Sequence, residues 1–348
     1  MNTTLQPEEL HYQPFNKVDK YFSFIIPVYN RPDEIDELLQ SFAVQDFTGD
    51  YEVVLVEDGS SIDCKAVIEN YPNLDISYYY KPNSGPGDSR NFGMRKAKGN
   101  YFLILDSDCV LPSDYLSQVS KALKADYVDC FGGIDTAEQS FSDIQKAINF
   151  AMTSVLSTGG VRGASEKLTK FQPRSFNMGI SKEAFEVSGG FSKLHPGEDP
   201  DLAIRLWDFG FETRLFKEVS VFHKRRISWK KFYTQVHKFG KARAILNFWH
   251  PSHVKFTFFI PTAFLFSFLC SVLFLFFEIS LFFNFFVIYF LACFFAATFA
   301  NRNARIGLLS VLAVMIQLYG YGTGFLNGFY KIEIKKGQPK QVLPEMFF

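Results

Sequence analysis

Two aspartates one residue apart, Asp106 and Asp108, follow directly on the apolar run Tyr101–Leu105. Carboxylates placed this way at the end of a buried strand can share a hard cation with the oxygens of a diphosphate. Mg2+ and Mn2+ are held in that manner, by one or two protein carboxylates plus substrate phosphate. The cation would offset the charge that builds up on a departing nucleoside diphosphate. Two Asp in a turn are also ordinary for a solvated loop, so the pair alone decides nothing. Two further acidic pairs accompany it: Glu57-Asp58 after the run Tyr51–Val56, and Glu198-Asp199 after Gly197. Pro200 fits the first turn of a helix whose buried face would be Leu202, Leu206 and Phe209, with Gly210 as terminator. Asp199 is then expected as the N-cap, a carboxylate held at the helix mouth.

The elements that must position these groups alternate between strand-like and helix-like. Tyr21–Val28, Tyr51–Val56, Ile76–Tyr80 and Tyr101–Leu105 read as strands. A helix opens at Pro32, with Asp33, Glu34, Asp36 and Glu37 suited to its dipole and Ile35, Leu38, Leu39 and Phe42 on one face. A second helix is expected over Asn91–Lys98. Apolar strands alternating with amphipathic helices predict an α/β fold with a mainly parallel sheet covered on both faces. Tyr29-Asn30, Glu57-Asp58 and Asp106-Ser107-Asp108 each follow the last apolar residue of a strand. In a parallel sheet those ends share one edge, where open α/β folds bind ligands. Asp135–Pro173 shows no clear strand, and a second ordered block begins at Ser175.

Composition divides the chain near residue 250. Residues 1–250 carry 29 basic and 33 acidic side chains, whereas 251–348 carry 7 and 3. Between Phe256 and Phe299 lie 17 of the chain's 42 Phe, and from Phe256 to Ala300 the only formal charge is Glu278. That stretch is roughly twice the ~20 residues needed to cross a hydrocarbon core, so a hairpin turning near Glu278 is expected. Nothing at the N-terminus resembles an apolar leader, so the first domain is expected in the cytosol, at the inner face of a plasma membrane. Five scattered cysteines without paired spacing agree. Lys224, Arg225, Arg226, Lys230, Lys231, Lys238, Lys241 and Arg243 precede the first span without an acidic residue among them. Anionic lipid headgroups, rather than nucleic acid, are the partner this position suggests, with Trp229, Phe232, Phe239, Phe248 and Trp249 as interfacial anchors. A third crossing through Ile306–Tyr330 is the simplest reading, yet it would put Lys331, Lys335, Lys336 and Lys340 outside, against the positive-inside rule. Its glycines also permit a re-entrant segment with the tail returning to the catalytic side. The chain thus divides into an extension (1–20), a catalytic domain (21–225), a basic juxtamembrane segment (226–253), a membrane region of two or three spans (254–330) and a tail (331–348).

Five blocks, in order, resemble the large family 2 glycosyltransferases with the GT-A fold. They are Ile25-Ile26-Pro27-Val28-Tyr29-Asn30-Arg31; Val56-Glu57-Asp58-Gly59-Ser60; Ser89-Arg90-Asn91-Phe92-Gly93 with Gly99-Asn100-Tyr101; Leu105-Asp106-Ser107-Asp108; and Asn177 through Gly190-Phe191 to Glu198-Asp199. The resemblance implies a nucleotide-sugar donor, with Pro27, Tyr29 and Asn30 lining the nucleotide pocket, Asp58 binding the base and Arg90 near the phosphates. It implies Asp106 near ribose and metal, Asp108 as the main ligand of Mn2+ or Mg2+, and a late His223 completing the metal site. Asp199 would be the base that deprotonates the acceptor hydroxyl, giving single displacement with inversion. Glu198 and Gln235 are further candidates for the donor or acceptor site. Departures are Glu57 where the family usually has Asp, and Gln235-Val236-His237-Lys238-Phe239 in place of Gln-x-x-Arg-Trp. An ammonium and a phenyl ring do not replace a guanidinium-plus-indole platform, which puts processive addition in question. The implied acceptor is a lipid-linked or growing glycan. Transfer to polyprenyl phosphate is the alternative within the enzyme class, and a catalytically silent sugar-nucleotide-binding membrane protein is the alternative outside it.

Overall fold

Along the first strand Phe24, Ile26 and Val28 enter one apolar core while Ile25 enters another. The same alternation places Val53 and Leu55 opposite Val54 and Val56, and Leu103 and Leu105 opposite Phe102 and Ile104. Period-two side chains buried on both faces are the mark of a sheet covered by helices on each side. The computed structural model describes residues 21–136, 142–158, 170–223 and 228–348, with the backbone alone at 136, 158 and 223. Among them eight strands form one sheet: β1 (Phe22–Val28), β2 (Tyr51–Asp58), β3 (Ile76–Lys81), β4 (Tyr101–Leu105), β5 (Cys109–Val110), β6 (Cys130–Thr136), β7 (Asn177–Ser181) and β8 (Thr213–His223). Their order is β3-β2-β1-β4-β7-β6-β8-β5. Strands β3, β2, β1 and β4 run parallel, β7 runs against both β4 and β6, and β5 against β8. The α/β class and the largely parallel sheet are as the sequence predicts. The register also brings the ends of β1, β2 and β4 to one edge.

The domain's helices are α1 (Pro32–Ala43), α2 (Lys65–Ile68), α3 (Pro86–Lys96), α4 (Tyr115–Ala125), α5 (Asp143–Thr153), α6 (Val155–Thr158), α7 (Lys182–Ser188) and α8 (Glu198–Asp208). In α1, Ile35, Leu38, Leu39 and Phe42 are all buried, as their spacing requires. Several boundaries differ from expectation. Glu57 and Asp58 end β2 itself rather than following it, because both continue the pairing with β3. Helix α3 begins at Pro86, five residues before Asn91, so Arg90 sits within it. Asp199 is not an N-cap: Gly197, at φ +129°, holds that position, and Asp199 lies in the first turn with Glu198. Leu202 and Leu206 are buried as expected, but Phe209 is exposed. Strand β6 extends through Asp135 and Thr136, into the region that showed no strand pattern.

Beyond the domain come α9 (Trp229–Trp249), α10 (Ile260–Leu275), α11 (Leu281–Asn301), α12 (Ala304–Phe329) and the short α13 (Pro339–Val342). Among the described residues three segments are long and apolar enough to cross a bilayer: Phe256–Leu275, Leu281–Asn301 and Ala304–Ile334. They are not alike. Helices α10 and α11 pair through Phe264, Phe268, Phe286 and Phe290 and leave most other side chains exposed. Helix α12 instead lies along α9, where Gly320, Gly324 and Gly328 meet Val236, His237 and Ala244. Glycines four residues apart form one face of a helix, and lacking side chains they let two backbones approach closely. Phe232, expected as an interfacial anchor, is fully buried in this contact together with Val236 and Leu318. The start of α12 reaches α5 through Arg305 and Asp143, 3.5 Å apart, and the tail beyond it returns to the loop 193–195.

This packing has a measurable consequence at Gly324. In an isolated helix Gly to Ala gains about 0.5–1 kcal/mol. Here the added Cβ would overlap the His237 carbonyl oxygen. Gly324→Ala is therefore expected to lower stability, by about 1–3 kcal/mol as in overpacked cores. A reduced Tm of the detergent-solubilised protein would show it, and an unchanged or raised Tm would refute the close contact.

Candidate active site

The sheet edge is first a set of backbone turns tied together by side chains. Asn30 follows β1 at φ +55°, a conformation Asn tolerates better than most residues. Its Oδ1 accepts hydrogen bonds from the Ser61 and Ile62 amides at 2.8 and 3.0 Å, and its own amide donates to Ser60 Oγ at 2.8 Å. Asn30 thus joins the ends of β1 and β2. Tyr29 beside it is 53% exposed and leaves a ring at the mouth of the cleft, with Pro27 half-buried behind it. Glu57 is fully buried and faces inward, accepting from Ser60 Oγ and from the Cys64 amide and thiol. Its role is to hold the 60–64 turn, which a carboxylate one carbon longer than Asp can reach.

Asp58 turns the other way and organises the turn after β3. Its Oδ1 accepts from Lys81 Nζ at 2.5 Å and from the Ser84 amide at 2.9 Å, and its Oδ2 accepts from the Gly85 amide at 3.0 Å. A carboxylate offers about four acceptor sites. Three of them are filled here by Lys81, Ser84 and Gly85.

Arg90 stands at the centre of the site. Its Nη2 lies 2.7 Å from Asp106 Oδ1, its Nη1 3.5 Å from Glu198 Oε1, and its guanidinium rests over the Phe191 ring at 5.4 Å. Burial works against its charge, and Asp106, Asp199 and Glu198 outweigh that cost and hold the guanidinium protonated. Asp106 remains partly open to the cleft. Asn91, the next residue, bonds both ways with the Phe191 backbone at 2.8 Å, fixing the Gly189-Gly190-Phe191 loop against α3.

The opposite wall is the start of α8. Asp199 Oδ2 accepts from the Ser175 amide at 3.2 Å, while Oδ1 is buried without a partner. Burial, then the neighbouring charge of Glu198, push the Asp199 carboxyl up from 3.8 to about 6, against the pull of Arg90 and Arg174. Glu198 moves the other way. Burial alone would raise it, but His195 Nδ1 at 2.8 Å, with Arg90 beyond, keeps it below the usual range. Adjacent carboxylates in one helical turn are thus divided into one held ionised and one that takes a proton easily. Neither His195 nor His250, which lies 2.9 Å from Asp201 Oδ1, carried any signal in the sequence. The acidic first turn of α8 was the one clue that cationic partners would be needed.

The structure thus ties Asn30 to the turn after β2 and Asp58 to the turn after β3, and sets Asp106, Glu198 and Asp199 about Arg90, while Tyr29 is exposed beside Asn30. Gln235 lies on α9, seven residues before the Ala242 that packs on Gly197, and makes no hydrogen bond to these carboxylates among the described residues. The His237 of the same motif is turned to α12, 3.2 Å from the Gly320 carbonyl. His223 pairs through its backbone with Cys109, next to Asp108, and its side chain lies outside the described residues. So do Lys224, Arg225 and Arg226 of the basic run. Among the described residues no group of three His, Cys, Asp or Glu could hold a metal. Asp106 is paired with Arg90, and Asp108 lies in the turn between β4 and β5.

Comparison with known proteins bears on this arrangement. Residues 23–189 match the family model for glycosyl transferase family 2. The chain is similar to the poly(ribitol-phosphate) beta-N-acetylglucosaminyltransferase TarS of Staphylococcus aureus, 37% identical over 112 residues, or 31% of this chain and 19% of TarS. It is also similar to the GalNAc(5)-diNAcBac-PP-undecaprenol beta-1,3-glucosyltransferase of Campylobacter jejuni, 33% identical over 114 residues, or 32% of this chain and 37% of that enzyme. The match therefore spans well under half the length of either relative. Among solved structures, a mannosyltransferase of Pyrobaculum calidifontis in complex with GDP-Man and Mn2+ aligns at a TM-score of 0.55 and 17% identity, covering 94% of this chain and 92% of that one. Residues 1–349 of S. aureus TarS align at a TM-score of 0.50 and 19% identity, covering 91% and 92%. The matched region, just under half of the chain, contains the sheet edge with Asn30, Asp58, Arg90, Asp106 and Asp108, and over residues 23–189 the chain is similar to glycosyl transferase family 2, in an α/β fold of the GT-A kind.

Proposed function

We propose that this chain transfers a sugar from a nucleotide-sugar donor to a hydroxyl of a lipid-linked or glycan acceptor, with inversion, at a membrane surface. The observation that carries the reading is Asp199. It is a carboxylate with one buried, unpartnered oxygen and a raised affinity for protons, beside the Arg90 that pairs with Asp106. A general base needs this combination: a free lone pair aimed at the acceptor and a pKa near working pH. Asp199 takes the hydroxyl proton while the acceptor oxygen bonds to the anomeric carbon. The bond from that carbon to the donor phosphate breaks, and a nucleoside diphosphate leaves. Attack opposite the leaving group inverts the anomeric centre. A divalent cation held by Asp106 and Asp108 would supply charge for the leaving diphosphate. Glu198, kept ionised by His195 and Arg90, maintains the negative field that raises Asp199.

The relatives support the acceptor class, one being named for a poly(ribitol-phosphate) and the other for an undecaprenol-linked glycan. So does the apolar α10–α11 hairpin, whose exposed phenylalanines suit the bilayer that such a lipid occupies. In this reading the catalytic domain faces the cytoplasm and the basic residues of α9 lie near anionic headgroups. The nucleoside and the sugar are determined by screening UDP-, GDP- and dTDP-sugars for transfer and donor hydrolysis with Mn2+ or Mg2+. No turnover of any donor would defeat the proposal.

Four outcomes are expected. Asp108→Ala should abolish transfer and cation-dependent binding of nucleoside diphosphate while leaving the fold intact. Full activity of that variant in excess chelator would remove Asp108 from the metal site. Asp199→Asn should keep donor affinity and lose on the order of 10²–10⁴ in turnover. Full activity instead would favour a phosphate acceptor, which needs no base. The pH profile follows from the sign of the shift. The base must be ionised, so kcat/KM should rise through about pH 6 and level above it. The same raised pKa stabilises the fold below the ordinary carboxylate value of 3.8, and that contribution is lost as pH rises through about 6. Asp199→Asn should therefore melt higher than the parent at pH 8, and an equal or lower Tm would contradict the burial argument.

A further inference from the structure

Residues 343–348 return to the catalytic domain and contact both walls of the cleft. Leu343 and Met346 are fully buried with Leu194, Ile245, Phe325 and Ile332. The His195 amide donates to the Met346 carbonyl at 2.8 Å, Phe347 bridges Leu194 in antiparallel fashion, and the Phe348 amide donates to the Lys193 carbonyl at 3.2 Å. The segment is thus added as a short strand to the loop that leads into Glu198 and Asp199. The Phe348 ring then crosses to the other wall. It sits against Gly85, where a Cβ would overlap it, and its centroid is 5.6 Å from that of His195. Gly85 is the residue whose amide Asp58 holds, and His195 is the residue that holds Glu198. One ring therefore touches a partner of Asp58 and the partner of Glu198. Lys241 on α9 fixes the segment from behind through Glu345, 2.9 Å away.

We infer that residues 343–348 are a structural part of the donor site, with Phe348 as the positioning residue that sets the spacing between the Asp58 turn and the Glu198-Asp199 wall. Phe348 acts through Gly85 and His195. The turn at Gly85, at φ +91° and outside the sheet ladder, is held on one side by Asp58 and packed on the other by the Phe348 ring. The inference rests on the reading of Asp58 as part of the nucleotide pocket. It assigns to a segment 260 residues away in sequence a role in holding a nucleoside diphosphate.

The test uses the full chain in detergent or nanodiscs, compared with Phe348→Ala, Phe348→Leu and a truncation before Leu343. Amide hydrogen exchange is read at residues 82–88 and 193–199, and binding of UDP and of GDP is titrated with Mn2+ present. Phe348→Ala and the truncation should speed exchange in both loops and leave β1, β2 and β4 protected. They should raise the Kd of the diphosphate that binds by about tenfold, equivalent to about 1.4 kcal/mol. Phe348→Leu, which still fills the space over Gly85, should restore most of the affinity. Unchanged exchange in both loops of the folded truncation would overturn the inference. So would diphosphate affinity equal to that of the parent. Faster exchange in a protein whose parent binds neither diphosphate would uphold the support of the two loops and reject the nucleotide reading of Asp58 instead.

Discussion

A single buried guanidinium holds the two halves of the cleft together. Arg90 reaches Asp106 at the end of β4 and Glu198 at the start of α8, so the sheet edge and the helix carrying Asp199 are joined through one side chain. A charge taken out of water costs several kcal/mol unless its partners are well placed, and removing one partner of such a set commonly costs about 3–5 kcal/mol. Here three carboxylates surround one cation. The surplus of negative charge is what the site has available for a second cation, or for a proton on Asp199. The structural ion pair and the chemical readiness of the cleft are therefore one feature. The Phe191 ring beneath the guanidinium and the paired hydrogen bonds of Asn91 prevent that arrangement from relaxing.

Much of this was legible from residue order. Strands β1, β2 and β4 follow from unbroken apolar runs, and the acidic residues at their ends follow from parallel topology. Less legible was what each acid binds. Asp58 and Glu57 are neighbours of the same type, yet one holds the 81–85 turn and the other the 60–64 turn. That division depends on strand pleat and on turns that close only in three dimensions. Asp199 was expected as a cap because Pro200 follows it, but Gly197 can take a positive φ and so starts the helix two residues earlier. His195 stands three residues before Glu198 but ahead of the helix, and His250 is remote in sequence from Asp201, so neither pairing was legible.

The apolar region shows the same division. Length and the lack of charge identified two or three candidate spans, and the glycines of α12 set the third apart from the others. The partner could not be read, because α9 appeared as a basic surface helix. Its small and apolar positions Val236, Gly240 and Ala244 recur every four residues, a pattern that becomes visible only beside Gly320, Gly324 and Gly328.

Helix α12 is pinned to the catalytic body near both of its ends, by Arg305 on Asp143 and by the chain that continues to Met346 on His195. A rod fastened to one body at two points works as a strut, and its two ends share a side of any barrier that excludes the body. If the α10–α11 hairpin is the part that enters the bilayer, the crossings between residues 21 and 348 are even in number. A reporter fused after residue 348 would then share the compartment of the sheet edge. The apolar hairpin is in turn braced by this strut through the Thr262 hydroxyl, which donates to the Gly322 carbonyl at 3.4 Å, and through Gly307 packed on Thr298. Movements of the hairpin in lipid would accordingly reach the cleft along α12, as load transmitted through a rigid member.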